Sequence, residues 1–458
     1  MPPPPPFRRG PPRRAPLAAA SLGGAAALVL WGAPAHAVPA FAVQTGQPCQ
    51  ACHVGGFGPQ LTPFGRSFKL GGYTQRSTPF NIPLAGMAVA SYVRTAEAQA
   101  APPAAHFRTN DNFALDQASL FFAGGFGQHF GAFAQATYDG IARAFTWDNV
   151  DLRAVTKLVV KGVEVVLGTS VNNSPGVQDP WNTLPAWGFP YTSSDLAPSP
   201  AAAPLLDGAF AQTTLGATAY AWIGQAVYVE AGAYGSPGTN ALARLGADPF
   251  SPGDIQGLAP YVRLAVQKPL AGGTFEAGAV ALRADLHPGR DRTTGLLDRY
   301  EDLGLDASYQ KTLRGGDVFS LNGRYLHERQ RLEASCSLAG APGADCARND
   351  LNEARLDAAY YWRDKIGLTV GVFNLAGSAN PILNAANRNP RPDSSGLIVQ
   401  LDGTPFGDAP QPARRVNLRV GVQYAHYGRF DGARSDFDGT GRNAPDNDTL
   451  RIFSWFAF

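Results

Sequence analysis

The chain has 458 residues, with 38 Lys and Arg against 36 Asp and Glu, 45% hydrophobic residues and 16% charged ones. That near-neutral balance, without a basic patch or an acidic block, argues against a nucleic-acid binder and against a solvated acidic tail. Its 52 glycines and 10% aromatics suit many short strands better than a helical core.

The N-terminus reads as an export signal. Arg8, Arg9, Arg13 and Arg14 are followed by an apolar run from Leu17 to Gly32 and by small residues at Ala35 and Ala37, so residues 1–37 form a signal peptide. The apolar run is short for an anchor helix. Losing four Arg and no acid leaves 34 basic residues against 36 acidic ones, a net charge of about −2. Beyond residue 37 there is no run of 18 apolar residues, which excludes membrane-spanning helices. The four cysteines of this exported chain fall into two pairs, Cys49/Cys52 and Cys336/Cys346.

Residues 38–82 carry the first pair. Cys49-Gln50-Ala51-Cys52-His53 is a C-x-x-C-H motif, the signature of covalent haem c attachment. Two thiols at this spacing reach the two vinyl groups on one haem edge, and the adjacent His53 falls under the iron as proximal ligand. A redox dithiol needs a βαβ context, and a zinc site needs a second ligand pair; neither is present. Thr62 is a helix cap, Pro63 a first helical position and Gly71-Gly72 a stop. Phe64 and Phe68 then share one face with Leu61 a turn earlier, a face suited to the haem. Arg66 and Lys69 lie off it. Either they meet the haem propionates, or they belong to a small amphipathic helix packed on a barrel wall. Met87 is the one methionine left after processing and a candidate sixth ligand, although a lone strand Met is usually a packing residue. His106 and His129 are alternatives, an open site is another, and His287, His327 and His426 read as surface residues near strand ends.

From residue 83 to 458 the chain alternates small or apolar with polar positions in segments of about ten residues. Sixteen strands are predicted: Pro83–Thr95, Phe113–Ala123, Gln128–Tyr138, Asn149–Val160, Val163–Val171, Gly208–Ile223, Gln225–Tyr234, Leu258–Lys268, Thr274–Asp285, Tyr300–Lys311, Asp317–His327, Leu351–Trp362, Ile366–Leu375, Ser394–Leu401, Val416–His426 and Thr449–Phe458. Short turns such as Lys161-Gly162, Gly224 and Arg363–Lys365 alternate with long connections such as Asn172–Asp207 and Glu328–Asp350. That alternation is the mark of an all-β fold, a transmembrane antiparallel barrel of about 16 strands with tight periplasmic turns. The connection from Leu401 to Val416 is longer than this rule predicts. Cys336 and Cys346 close a short loop as a structural disulfide. In the last strand Leu450, Ile452, Phe456 and Phe458 share one face, and Arg451, Phe453, Trp455 and Ala457 share the other. A chain ending on Phe resembles the assembly signal of bacterial outer-membrane barrels.

With both features in place, the chain resembles the fused monohaem cytochrome–porin family of bacterial outer-membrane iron oxidases. The resemblance is strongest from Pro39 to Thr74 and in the tail, where Gly439-Thr440-Gly441-Arg442-Asn443 precedes Asp446-Asn447-Asp448. It implies that the monohaem segment plugs or caps the barrel from the periplasmic side. It also implies that ferrous iron is oxidised at the cell surface and that a periplasmic c-type cytochrome accepts the electron. The haem residues carry over onto Cys49, Cys52 and His53. The iron-contacting residues do not, and Asp298, Glu301 and Asp302 are read either as an acidic cluster for iron or as a solvated strand end. The alternative function is a diffusion porin in outer-membrane lipid whose haem segment only gates or senses.

Overall fold

The computed structural model describes residues 40–78, 83–408 and 416–458; the leader expected at residues 1–37 lies outside them. Sixteen strands form the wall. The first eight are β1 (Leu84–Thr95), β2 (Asn112–Phe126), β3 (Phe130–Asp139), β4 (Ala144–Val160), β5 (Val163–Asn172), β6 (Leu215–Ile223), β7 (Val227–Gly235) and β8 (Ala259–Leu270). The rest are β9 (Gly273–Pro288), β10 (Asp298–Thr312), β11 (Val318–Leu332), β12 (Arg348–Trp362), β13 (Ile366–Gly377), β14 (Ser394–Gly403), β15 (Asn417–Arg429) and β16 (Thr449–Ala457). Every neighbouring pair is antiparallel. β1 pairs with β2 on one side and with β16 on the other (Met87 opposite Ala457, Thr95 opposite Thr449), so the sheet closes on itself. A three-residue strand, Gly253–Ile255, lies beside the end of β9 and adds no stave.

Closure leaves no strand edge unpaired, and the two faces of the wall have reversed polarity. In β10, Leu303 and Leu305 point outward at 56% and 58% exposure, whereas Asp302 and Asp306 are buried inside. Phe113, Phe145 and Val159 are among the most exposed outward residues. In β16, Arg451, Phe453 and Trp455 face in while Ile452 and Phe456 face out, as the period-two reading requires.

The strand expectations need two corrections. The segment predicted from Gly208 begins only at Leu215, because Leu205–Ala209 is a helical turn whose neighbour Phe210 is buried inside the barrel. β4 reaches back to Ala144, so only residues 140–143 join it to β3 where a longer connection was expected. The others extend the expected strands by a few residues at one end or both, or shorten them slightly.

Two segments fill the lumen. One is residues 40–78, with helices α1 (Ala40–Thr45), α2 (Cys49–Cys52) and α3 (Pro63–Leu70). The other is the connection 173–214, which turns inward instead of leaving the barrel. Lys69 Nζ on α3 donates to the carbonyls of Val177 (2.7 Å) and Asp179 (2.8 Å) on that connection. The wall grips both. Tyr220 donates to the Leu70 carbonyl, Tyr73 donates to Asp151, and Arg263 spans Asp306 (2.9 Å) and Asp179 (3.1 Å). The Arg263 pairs are fully desolvated, so removing one partner costs about 3–5 kcal/mol even where the intact pair contributes little.

Candidate functional site

Pro48 lies in extended conformation and starts a single helical turn, which the amide of His53 closes by donating to the Cys49 carbonyl (2.9 Å). Cys49 and Cys52, three residues apart on this turn, therefore share a face. Both thiols are free and half-buried. His53 leaves the turn in extended conformation and bridges to Leu61, and Val54 donates to the Gln60 carbonyl (3.0 Å). The seven residues between form a tight loop that Gly55 and Gly56 make possible, with φ of 71° and 67°.

The helix that follows starts as expected. The Thr62 hydroxyl accepts from the Gly65 amide (3.1 Å), and Pro63 takes the first position. Gly65 lets α3 lie directly on the motif, since a Cβ there would sit 2.3 Å from the Cys52 carbonyl oxygen.

The motif is bolted to the rim that carries the short turns. Gln50 donates through its amide to the Gly407 carbonyl (3.2 Å) and through its side chain to the Asp364 carbonyl (2.6 Å). Asp364 accepts from the Gly55 amide, Thr404 donates to the Gly55 carbonyl, and Asn417 donates to the Gly56 carbonyl (2.7 Å). Thr404, Gly407 and Asn417 border the one short-rim connection that exceeded its expected length. Its described part wraps the motif loop.

Burial pushes the His53 imidazole down to about 4, so it is neutral at physiological pH, the form that binds metal. The Gln60 backbone acts on the ring in the opposite direction, and Nδ1 is enclosed. Burial pushes the Cys52 thiol up to about 12, reinforced by Cys49, and raises Cys49 as well against a bond from Asn417. A redox dithiol needs the opposite, a thiol depressed towards neutrality. Two free thiols on one face followed directly by a neutral imidazole fit a covalently held haem.

The other expected residues scatter. Phe64 is half-buried, but Phe68 packs on Phe41 (5.0 Å) and Tyr73 (5.8 Å), joining α3 to α1. Met87 sits close to the motif loop through Phe57, which packs with it, Val89 and Trp455. Its sulfur already accepts from the Trp455 indole N–H (3.1 Å). His129 lies in the turn between β2 and β3, with Nδ1 against the Val155 carbonyl, and His106 is exposed in the connection after β1. His327 and His426 are partly exposed, whereas His287 is buried against Gln256 and is not a surface residue. Lys69 spends its protons on carbonyls, and Arg66 donates to the Leu61 carbonyl (3.0 Å).

The acidic run divides. Asp298 and Asp302 face the lumen, where they accept from Ser335 and Leu206, while Glu301 faces outward beside Arg283. Sequence neighbours on a strand point to opposite faces. The carboxylate opposite Asp302 is Glu328 on β11, a pairing that only the register discloses. Among the described residues no group of three or more His, Cys, Asp or Glu side chains is arranged to hold a metal ion. Cys336 and Cys346 form the expected disulfide between two short helices of the β11–β12 connection.

No family model and no curated protein matches this chain. Among solved structures it is similar to an anion-selective porin from Comamonas acidovorans, at 12% identity and TM-score 0.45 over 82% of this chain and 98% of that one. Another is OmpTdeltaL8, a loop-deletion mutant of an outer membrane protein of Vibrio cholerae (9%, TM-score 0.43, 82% and 98%). A third is Salmonella typhi OmpF in complex with daunomycin (12%, TM-score 0.42, 82% and 97%).

Proposed function

We propose that this chain is a bacterial outer-membrane barrel that holds one haem c at its periplasmic end and passes single electrons through it. The membrane reading rests on the inverted wall, apolar outside and charged inside, with every strand edge paired. The electron-transfer reading rests on one observation. The C-x-x-C-H turn is docked inside the short-turn rim with two free thiols on one face and His53 directly after them.

Cys49 and Cys52 would anchor the haem through thioether bonds, and His53 would supply the proximal nitrogen. The haem, when bound, supplies one-electron redox chemistry. The protein's residues fix its place: Thr404, Asn417 and Asp364 hold the loop after His53, and Gly65 lets α3 close over the turn. Ferrous iron as donor and a periplasmic c-type cytochrome as acceptor follow from the family resemblance.

The test uses purified protein in liposomes. Covalent haem should be seen by pyridine haemochrome and vanish in Cys49→Ala/Cys52→Ala. Ferrous iron added outside should then reduce it rapidly in stopped flow, and His53→Ala should abolish this. Haem that dithionite reduces while ferrous iron leaves it oxidised would refute iron as the donor.

A second reading is a diffusion porin whose N-terminal segment gates or senses. It is favoured by the barrel itself, since sixteen strands can enclose an aqueous channel lined by ionisable groups. Bilayer conductance decides it. Large steady currents in protein whose haem no donor reaches would favour the porin.

A further inference from the structure

Six arginines are buried among the described residues, and five of them face a carboxylate. Arg153 meets Asp151, Arg263 meets Asp306, Arg324 meets Glu353, Arg419 meets Asp402 and Arg451 meets Asp116. Arg66 is the exception. It is 5% exposed, its Nη1 reaches only the Leu61 carbonyl, and its Nε has no partner. The Glu276 and Asp179 carboxylates act on it from a distance but are themselves paired with Arg263, and a buried charge with no carboxylate in contact is costly. Lys69 can escape that cost by losing its proton, and its burial beside Arg153 pushes it down to about 7. An arginine has no such escape.

Arg66 borders a cavity of about 140 Å³. That approaches the roughly 150 Å³ known to admit a benzene-sized molecule. Lys157, Trp222, Gln225, Gln267 and Glu164 share the lining. Lys157, Glu164 and Gln225 stand at the short-turn rim and are exposed, so the cavity is reached from that end. Two cations against one carboxylate leave the lining positive. Gln267 uses its carbonyl oxygen to accept from Trp181 (2.8 Å), so its amide N–H groups remain as donors.

We propose that this cavity is a binding site for one small oxyanion, a phosphate or a carboxylate, taken by the guanidinium of Arg66. The planar fork of arginine matches both anions. Two sources supply that chemistry, a free periplasmic anion or a propionate of the chain's own haem. Only the second rests on the haem proposal.

Inorganic phosphate is the probe, followed by equilibrium dialysis on detergent-purified full-length protein. One form is haem-loaded and the other is the haem-free Cys49→Ala/Cys52→Ala variant. The haem-free protein should bind one phosphate saturably, and Arg66→Gln should bind it about tenfold more weakly or worse. Phosphate binding that persists in haem-loaded protein assigns the site to a free anion. Binding confined to the haem-free form assigns it to a propionate. Haem content is read separately by pyridine haemochrome, so loss of the haem reading does not mask this test. No saturable binding in the haem-free protein, or unchanged binding in Arg66→Gln, overturns the proposal. Should Arg66→Gln fail to assemble, Lys157→Glu on the exposed rim replaces it, and unchanged affinity there overturns it equally.

Discussion

Gly55→Ala should release the motif loop while leaving the barrel intact. Two costs add. At φ 71° an L side chain is strained, by roughly 1–2 kcal/mol. The new Cβ would also lie 2.3 Å from the Tyr361 ring. That ring cannot retreat, because Tyr361 is 1% exposed and its hydroxyl is held by Arg419 (2.9 Å) and Asp402. Overpacking of this kind costs about 1–3 kcal/mol, for a total of about 2–5 kcal/mol. Gly162→Ala is the control, since its φ of 81° carries the same backbone strain with nothing within 4 Å. Hydrogen exchange at Val54 and Gly56 should accelerate by more than tenfold in Gly55→Ala, with heat-modifiable mobility of the barrel unchanged. Adding Tyr361→Ala should recover the steric part but not the backbone part. Unchanged exchange in Gly55→Ala, or no recovery in the double variant, would refute the docking geometry.

Four further outcomes are expected. Lys69→Met should abolish a pH dependence of lumen packing. The folded Lys69 titrates near 7, pushed down by burial and then by Arg153, against about 10.4 when released. The opened state therefore binds the extra proton between those values, and packing should strengthen with rising pH across that window, by up to roughly 1.4 kcal/mol per pH unit. Hydrogen exchange of residues 173–214 at pH 6.5 and pH 9 would show it. Arg263→Met strands Asp179, Glu276 and Asp306, should cost about 3–5 kcal/mol, and should raise single-channel conductance as residues 173–214 loosen. Cys336→Ser/Cys346→Ser should weaken its loop by roughly 3 kcal/mol, seen as faster proteolysis between β11 and β12 with unchanged barrel assembly. Met87→Leu should leave the visible spectrum of the oxidised haem unchanged, because the Met87 sulfur is engaged by Trp455; a lost axial-ligand band would reverse that assignment.

The wall was legible because a strand in a polar lumen and an apolar exterior repeats every two residues, and Leu303, Leu305, Asp302 and Asp306 carry that rule without a break. It misled at Gly208, where apolar residues of an inward-folded connection pack inside the barrel and mimic a strand. The C-x-x-C-H turn was legible because its spacing is local. What holds it was not. Asp364, Thr404, Asn417 and Tyr361 stand hundreds of residues away, and only barrel closure brings them to Gly55 and Gly56. Asp302 and Glu328 are likewise paired by register, so no reading of the run from Asp298 to Asp302 could have found that pair.

A single haem at the short-turn rim, as proposed, would set a physical condition on that function. The apolar belt of such a barrel is about 25 Å tall, and the motif is tied to Gly407 and Asp364 at one end of it. A small donor that enters from the far rim passes residues 173–214, which are pinned in the lumen by Lys69 and Arg263, so electron transfer by that route depends on permeation. The two functional readings then share one control point, the Arg263 pin. If the donor diffuses, Arg263→Met should raise conductance and speed haem reduction by ferrous iron together. Faster conductance with an unchanged reduction rate would mean that the donor never enters the lumen, and that electrons reach the haem from the periplasmic side.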